Sequence, residues 1–317
     1  MMSIRRAVID IGTNSIKLLV AEVEGSIVRP VWEESTQTRL GHGFYPERVL
    51  QPGPIQDTAA AVSRFSGKAR ELGAAEVRVI ATSAARQARN PEQLSKAIEK
   101  ASGLPMRVIT GEEEANYVFR GVTSDPRLNH KRLLLLDVGG GSAEFIVCQD
   151  QENQFAHSFE LGTVRLLGEL GLHDPPGKDQ LAECRQKLRE FFDDEIGPEV
   201  RPALERSKTS GSAPDVEFVG TGGTATILAG MEASLSSFDR ERIEQTRLSR
   251  SRLQWHVEHL WNMPAAQRKQ VVGLPPNRAD VILTGAAIYE CVMGYFDFHE
   301  LRVSTRGLRF AAVMEPQ

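Results

Sequence analysis

At 317 residues the chain is longer than one hydrophobic core usually supports, so two domains are expected. Hydrophobic content of 41% and charged content of 25% exclude a disordered chain, and a net charge of −4 argues against a general nucleic-acid binder. No apolar run reaches membrane-spanning length, the N-terminus lacks a signal-peptide pattern, and Cys148, Cys184 and Cys291 are scattered without metal spacing, which points to a reducing cytoplasm and no membrane partner.

In chain order, residues 7–11 (AVIDI) form a short apolar strand ending in Asp10. Gly12, Thr13, Asn14 and Ser15 then make a tight turn into a second strand at 16–22, with a third at 26–32. Such a turn offers backbone donors, two hydroxyls and a carboxylate together. Residues 36–45 read as strand end and loop. A helix is predicted over 54–72, closed by Gly73, and a strand over 77–81. Residues 82–86 (TSAAR) turn towards a helix at 91–101, and a strand at 106–109 completes a β-α-β alternation.

Three successive carboxylates, Glu112, Glu113 and Glu114, open the next helix. Its dipole favours acids in the first turn, but the three point in different directions, so one can face inward. A charged break at 127–132 marks the domain boundary.

The run LLLLDVGGGSAE then delivers Asp137 to the end of a buried parallel strand, followed by Gly139, Gly140, Gly141, Ser142 and Glu144. Glycines let backbone N–H groups close around a phosphate, and the two carboxylates are placed to hold a hydrated divalent cation. Asp10 and Asp137 each end an aliphatic strand, roughly 130 residues apart, a domain's worth.

Strands at 143–148 and 155–161 and helices at 162–170 and 180–196 follow, with a surface loop at 207–214. A strand at 216–219 runs into Gly222, Gly223 and Thr224, a third glycine-rich turn that puts a helix N-terminus on an anion. Gly220, Gly222 and Ala225 also match a dinucleotide pattern. Asp239 stands near the distance for a ribose-binding acid, but lies in a polar stretch rather than at a strand end. His256 and His259, on a helix at 250–262, lack a third metal ligand. Helices at 278–293 and 306–313 flank a last strand at 301–303.

The segments DIGTNSIKLLV, ATSAARQA, ITGEEEA, DVGGGSAE, VGTGGTA and STRGLR occur in the order found in the exopolyphosphatase/guanosine pentaphosphate phosphohydrolase family, which the chain resembles over nearly its whole length. That family belongs to the actin-like ATPase, sugar kinase and heat-shock chaperone superfamily. The resemblance implies an α/β fold of two ribonuclease-H-like domains, 1–125 with 306–317 packing back onto it, and 126–305, with the active site in the interdomain cleft. It implies that Glu114 activates the attacking water and that Arg86 contacts substrate near the scissile phosphate. It also implies that Asp10, Asp137 and Glu144 hold Mg²⁺, and that the protein is a homodimer. Gly12–Ser15, Gly139–Ser142 and Gly222–Thr224 are the expected phosphate-binding stretches.

The implied reaction is release of terminal orthophosphate from inorganic polyphosphate, with guanosine pentaphosphate as the alternative substrate. A non-catalytic polyphosphate or nucleotide sensor is the reading of another class, and a water-activating carboxylate argues against it. Long family members continue into a C-terminal helical region where this sequence stops, which puts processive degradation of long chains in question.

Overall fold

The computed structural model describes residues 3–206 and 216–315, so the expected loop at 207–214 lies outside the described residues. The chain divides into two compact units, Met1–Asp125 with Arg306–Gln317, and Pro126–Thr305.

The first unit is built on a five-stranded sheet of β1 (Ile4–Ile11), β2 (Ile16–Glu24), β3 (Ile27–Thr36), β4 (Glu76–Ala81) and β5 (Met106–Val108), in the order β3-β2-β1-β4-β5. The first three strands form an antiparallel meander, and β4 and β5 add in parallel. Ala7, Val8 and Ile9 are all buried, as a strand covered on both faces requires. On one face α1 (Pro52–Glu71) buries Ile55, Ala59, Val62, Phe65 and Ala69 at helical spacing, alongside α3 (Pro91–Ser102). Residues 82–86, expected to turn, instead wind into a short helix, α2 (Ser83–Gln87). A stretch this short has no periodicity to read. The helix α4 (Gly111–Thr123) follows β5.

The second unit holds a six-stranded sheet of β6 (Leu133–Val138), β7 (Ala143–Gln149), β8 (Glu152–Phe159), β9 (Glu217–Thr221), β10 (Arg247–Ser249) and β11 (Glu300–Val303), ordered β10-β11-β9-β6-β7-β8. Its helices are α5 (Thr163–Leu170), α6 (Gly177–Phe191), α7 (Gly197–Arg206), α8 (Gly222–Glu232), α9 (Arg240–Gln245), α10 (Arg250–Trp261), α11 (Ala265–Arg268) and α12 (Ile282–Tyr295). The helix expected at 180–196 runs on through a π-helical turn, Phe192–Ile196, into α7. Phe192 and Ile196 of that turn are both buried in the core. The helix expected from 278 begins only at Ile282, after a 3₁₀ turn at Pro276–Arg278.

The two sheets repeat one plan: a three-stranded antiparallel meander whose first strand is extended by parallel strands (β4 and β5; β9 and β11). This is the ribonuclease-H-like arrangement of actin-like ATPase domains.

The last helix, α13 (Leu308–Ala312), belongs to the first unit and packs on α4. A Cβ on Gly121 would lie 2.1 Å from the Gly307 carbonyl oxygen, so only glycine permits this approach. Arg309 donates to the Leu18 carbonyl (2.8 Å), and Glu315 accepts from Tyr117 (2.6 Å), Arg120 (2.7 Å) and Arg78 (3.0 Å). Burial pushes the Glu315 carboxyl up, but these three donors outweigh it and hold its pKa below the ordinary value of 4.5. A depressed carboxylate contributes stability that is present above the unfolded pKa and lost as pH falls through the folded one. Glu315→Gln is therefore expected to lower the melting temperature at pH 7. The difference from the parent should vanish well below pH 4.5, which thermal melts at the two pH values check.

Candidate active site

In the first unit the β1–β2 turn places Asp10 opposite Lys17 in register, and Gly12 N–H donates to the Ser15 carbonyl (3.0 Å). The carbonyls of Thr13 and Asn14 accept from the backbone N–H groups of Gly41 (2.7 Å) and Arg39 (3.1 Å). Thr13, Asn14 and Ser15 are all buried. Burial raises the Asp10 pKa, opposed by the charges of Lys17 and Arg309.

The three glutamates that open α4 separate as the geometry of a helix start demands. Thr110 and Glu113 form a reciprocal capping box: the Thr110 hydroxyl accepts from Glu113 N–H (3.1 Å), and the Glu113 carboxylate accepts from Thr110 N–H (2.8 Å). Glu113 also takes an ion pair from Arg107, and Glu112 is exposed. Glu114 is the buried one, 8% accessible, and its Oε2 lies 2.8 Å from Arg86 Nη1. The same nitrogen of Arg86 also donates to the Ile109 carbonyl (3.1 Å), which fixes the guanidinium between α2 and the start of α4. The structure thus joins the two residues expected to be catalytic, through a charge-assisted hydrogen bond.

In the second unit the β6–β7 turn repeats the first. Asp137 stands opposite Glu144, and Gly139 N–H donates to the Ser142 carbonyl (2.9 Å). Here too the carbonyls are occupied: Gly139 accepts from Thr163 (3.0 Å), and Gly140 from Val164 (2.8 Å) and Arg165 (3.1 Å). The backbone of Gly140 and Gly141 runs so close to Gly162 that a Cβ there would sit 2.4 Å away. Glu144 is buried and accepts from the Ser158 hydroxyl (2.8 Å). The third turn joins the same end of the sheet, because β9 pairs with β6 in the register Asp137↔Thr221. A Cβ on Gly222 would lie 2.0 Å from Asp137 Oδ1, so the carboxylate rests directly on that glycine. Thr224 is buried, with its hydroxyl 3.4 Å from the Val138 carbonyl.

Among the described residues no three His, Cys, Asp or Glu side chains gather into a metal-holding group. Asp137 and Glu144 are cross-strand neighbours, whereas Asp10 belongs to the other unit and has Lys17 and Arg309 as its charged neighbours. A magnesium ion is commonly held by one or two carboxylates together with waters and substrate phosphates, so the Asp137–Glu144 pair fits such an ion.

Other features of the sequence take structural roles. Asp239 caps α9, accepting from Arg242 N–H (3.1 Å), so it is occupied in a way the dinucleotide pattern does not use. His256 bonds to Glu232 (2.7 Å), and His259 stacks on Trp255. Sequence reasoning missed Tyr289. Its hydroxyl lies 3.1 Å from the Leu136 carbonyl and 3.2 Å from that of Thr221, the residues just before Asp137 and Gly222. Burial, with Asp137 and Glu144 nearby, raises its pKa well above 10, so it stays a neutral donor. A Cβ on Gly285, one turn earlier on α12, would meet the side chains of Thr224 and Thr163 within 3.1 Å, and Thr284 donates to the Thr163 carbonyl (2.8 Å). The small-residue composition of that helix was the available signal: it lets α12 seat both phosphate-type turns.

The family model described as the Ppx/GppA phosphatase family matches residues 18–315. Exopolyphosphatase 2 of Mycobacterium tuberculosis is 32% identical over 296 residues, covering 90% of this chain and 89% of that protein. Exopolyphosphatase 1 of the same organism is 28% identical over 311 residues, covering 98% and 87%. Among solved structures, an Aquifex aeolicus member of the Ppx/GppA protein family superposes with a TM-score of 0.77 at 25% identity, covering 99% of this chain and 97% of that one. An exopolyphosphatase from Cytophaga hutchinsonii gives a TM-score of 0.84 at 25% identity, covering 97% and 96%. With a family model spanning nearly the whole chain and relatives matched along most of their own length, this chain belongs to the Ppx/GppA phosphatase family.

Proposed function

We propose that this protein is an exopolyphosphatase: water attacks the terminal phosphorus of inorganic polyphosphate, the anhydride P–O bond breaks, and orthophosphate leaves a chain shorter by one. The observation that carries the reading is the pairing of Arg86 with Glu114, the one of the three carboxylates that is buried. The relatives named exopolyphosphatase support the choice of substrate.

In this mechanism Glu114 accepts the proton of the attacking water, and Arg86 orients Glu114 and offsets charge on the transferring phosphoryl group. The turns at Gly12–Ser15, Gly139–Ser142 and Gly222–Thr224 hold phosphate oxygens through backbone N–H groups and hydroxyls. Their carbonyls at Thr13, Asn14, Gly139 and Gly140 are already occupied within each unit. Asp137 and Glu144, with Asp10 as a further candidate, would hold a Mg²⁺ ion whose charge neutralises the bound phosphates.

Phosphate release tests the proposal. Polyphosphate, guanosine pentaphosphate and ATP are supplied in turn, and free orthophosphate is measured against transfer to an acceptor. Release from polyphosphate is expected. Release from guanosine pentaphosphate alone would reassign the substrate, and binding without release from any of them would make the protein a sensor. Excess chelator is expected to abolish turnover and added Mg²⁺ to restore it. Full activity in chelator would remove the metal role.

A cytoplasmic location and a homodimer are part of the proposal. Free Cys148 and Cys184 are buried, with pKa values pushed up to about 12 by burial, as in unreactive structural thiols, and no described helix is long and apolar enough to cross a membrane.

A further inference from the structure

Three buried polar atoms at one end of the first sheet have no hydrogen-bond partner: Thr13 Oγ1, Asn14 Nδ2 and Ser83 Oγ. Their residues are 2%, 6% and 2% accessible, so bulk solvent does not reach them. Orphaned buried donors oppose folding and are few in native proteins, so several in adjoining segments call for a reason. The segments adjoin through backbone. Thr82 N–H donates to the Ile11 carbonyl (3.1 Å), which sets Ser83 beside the turn that begins at Gly12. The Asn14 Oδ1 accepts from Gln37 (3.4 Å), and Nδ2 of the same amide is the atom with no partner.

All three atoms can donate, and none is a carboxylate. Two hydroxyls and an amide facing a common ligand suit a tetrahedral oxyanion, which accepts on every oxygen. The β4–α2 junction that carries Ser83 also carries Arg86, three residues on and paired with Glu114. We propose that Ser83 is a substrate-contacting residue. With Thr13 and Asn14 it completes a donor niche for one phosphoryl group in the first unit, a role that rests on the polyphosphatase reading. The niche is bought at the expense of the ligand-free fold, which leaves three donors unmet until a phosphate arrives. An ordinary core serine shows the opposite behaviour, since removing it lowers stability and leaves ligand affinity alone.

The test uses the full chain carrying Glu114→Gln, so that ligand is not consumed, with Ser83→Ala or Thr13→Val added. Calorimetric titration with tripolyphosphate, and separately with orthophosphate, is paired with thermal melts in the absence of phosphate. Ser83→Ala is expected to weaken tripolyphosphate binding about ten- to 150-fold, the worth of one hydrogen bond to a charged group. The ligand-free melting temperature should hold or rise. Thr13→Val should show the same opposed pair of effects. Weakening for orthophosphate as well would identify the niche with the released product. Weakening for tripolyphosphate alone would place it on a phosphate further along the chain, and either result supports the contact. Unchanged affinity in Ser83→Ala, or a fall in melting temperature that accompanies the loss of affinity, would overturn it. If the Glu114→Gln parent binds neither anion, the exopolyphosphatase reading falls together with this one. If the parent binds and Ser83→Ala is silent, only the role of Ser83 falls.

Discussion

Glu114→Gln is expected to fold and to release phosphate from polyphosphate at least ~100-fold more slowly than the parent, and up to about 10⁴-fold, the range a positioned general base supplies. Glutamine keeps the shape of the side chain and an oxygen to accept from Arg86, but it cannot take a proton from water at neutral pH. Arg86 keeps its second acceptor, the Ile109 carbonyl. Loss of the charge on one side of this largely buried pair is expected to cost about 1–3 kcal/mol of stability, which a melt measures separately from turnover. Glu113→Gln is the control. A capping box works with glutamine at that position, so α4 keeps its cap and activity should stay near the parental level. Equal losses in the two variants would mean that the start of the helix matters as a whole, and that Glu114 has no special role. Parental turnover in Glu114→Gln would remove it as the base.

The same two residues show how far the sequence could be read. That one of three glutamates faces inward follows from helix geometry. Which one does so is decided by Thr110, whose hydroxyl recruits Glu113 into the cap and leaves Glu114 to Arg86. The strands and turns around Asp10 and Asp137 were legible because aliphatic runs and glycines are local signals. The structure adds that the two hairpins match in register, each pairing positions seven apart in the chain, Asp10↔Lys17 and Asp137↔Glu144. The short helices α2, α9 and α11 were not legible, since one or two turns carry no measurable period. What supports the site was not legible either. Tyr289 bonds to a carbonyl 153 residues away, and Glu315 meets Tyr117 across 198 residues. Contacts at that separation leave no local pattern. Nor does an orphaned hydroxyl such as that of Ser83, which is defined by what the fold fails to place near it.

Adjacent glycines at the third turn are expected to respond in opposite ways. Gly222 has φ +79°, and a Cβ there would lie 2.0 Å from Asp137 Oδ1, whereas a Cβ on Gly223 would meet nothing within 4 Å. Gly222→Ala therefore combines left-handed backbone strain with displacement of a carboxylate, at a cost of about 2–4 kcal/mol. The Tyr289 hydroxyl, 3.1 Å from the Leu136 carbonyl and 3.2 Å from that of Thr221, ties together the backbone just before Asp137 and Gly222. Turnover should fall about 100-fold, the penalty for misplacing a site group by an ångström. Gly223→Ala should leave stability unchanged or raise it by up to about 1 kcal/mol, since it removes backbone freedom from the first turn of α8. If phosphate approaches this backbone closely, as proposed, the added methyl group stands in its path. The variant then shows a raised KM for polyphosphate with an intact fold. Melts and steady-state kinetics on both variants check the pair. A stable Gly223→Ala protein with parental KM would show that the third turn supports Asp137 without touching substrate, and the phosphate-binding role would then rest on the two hairpin turns alone.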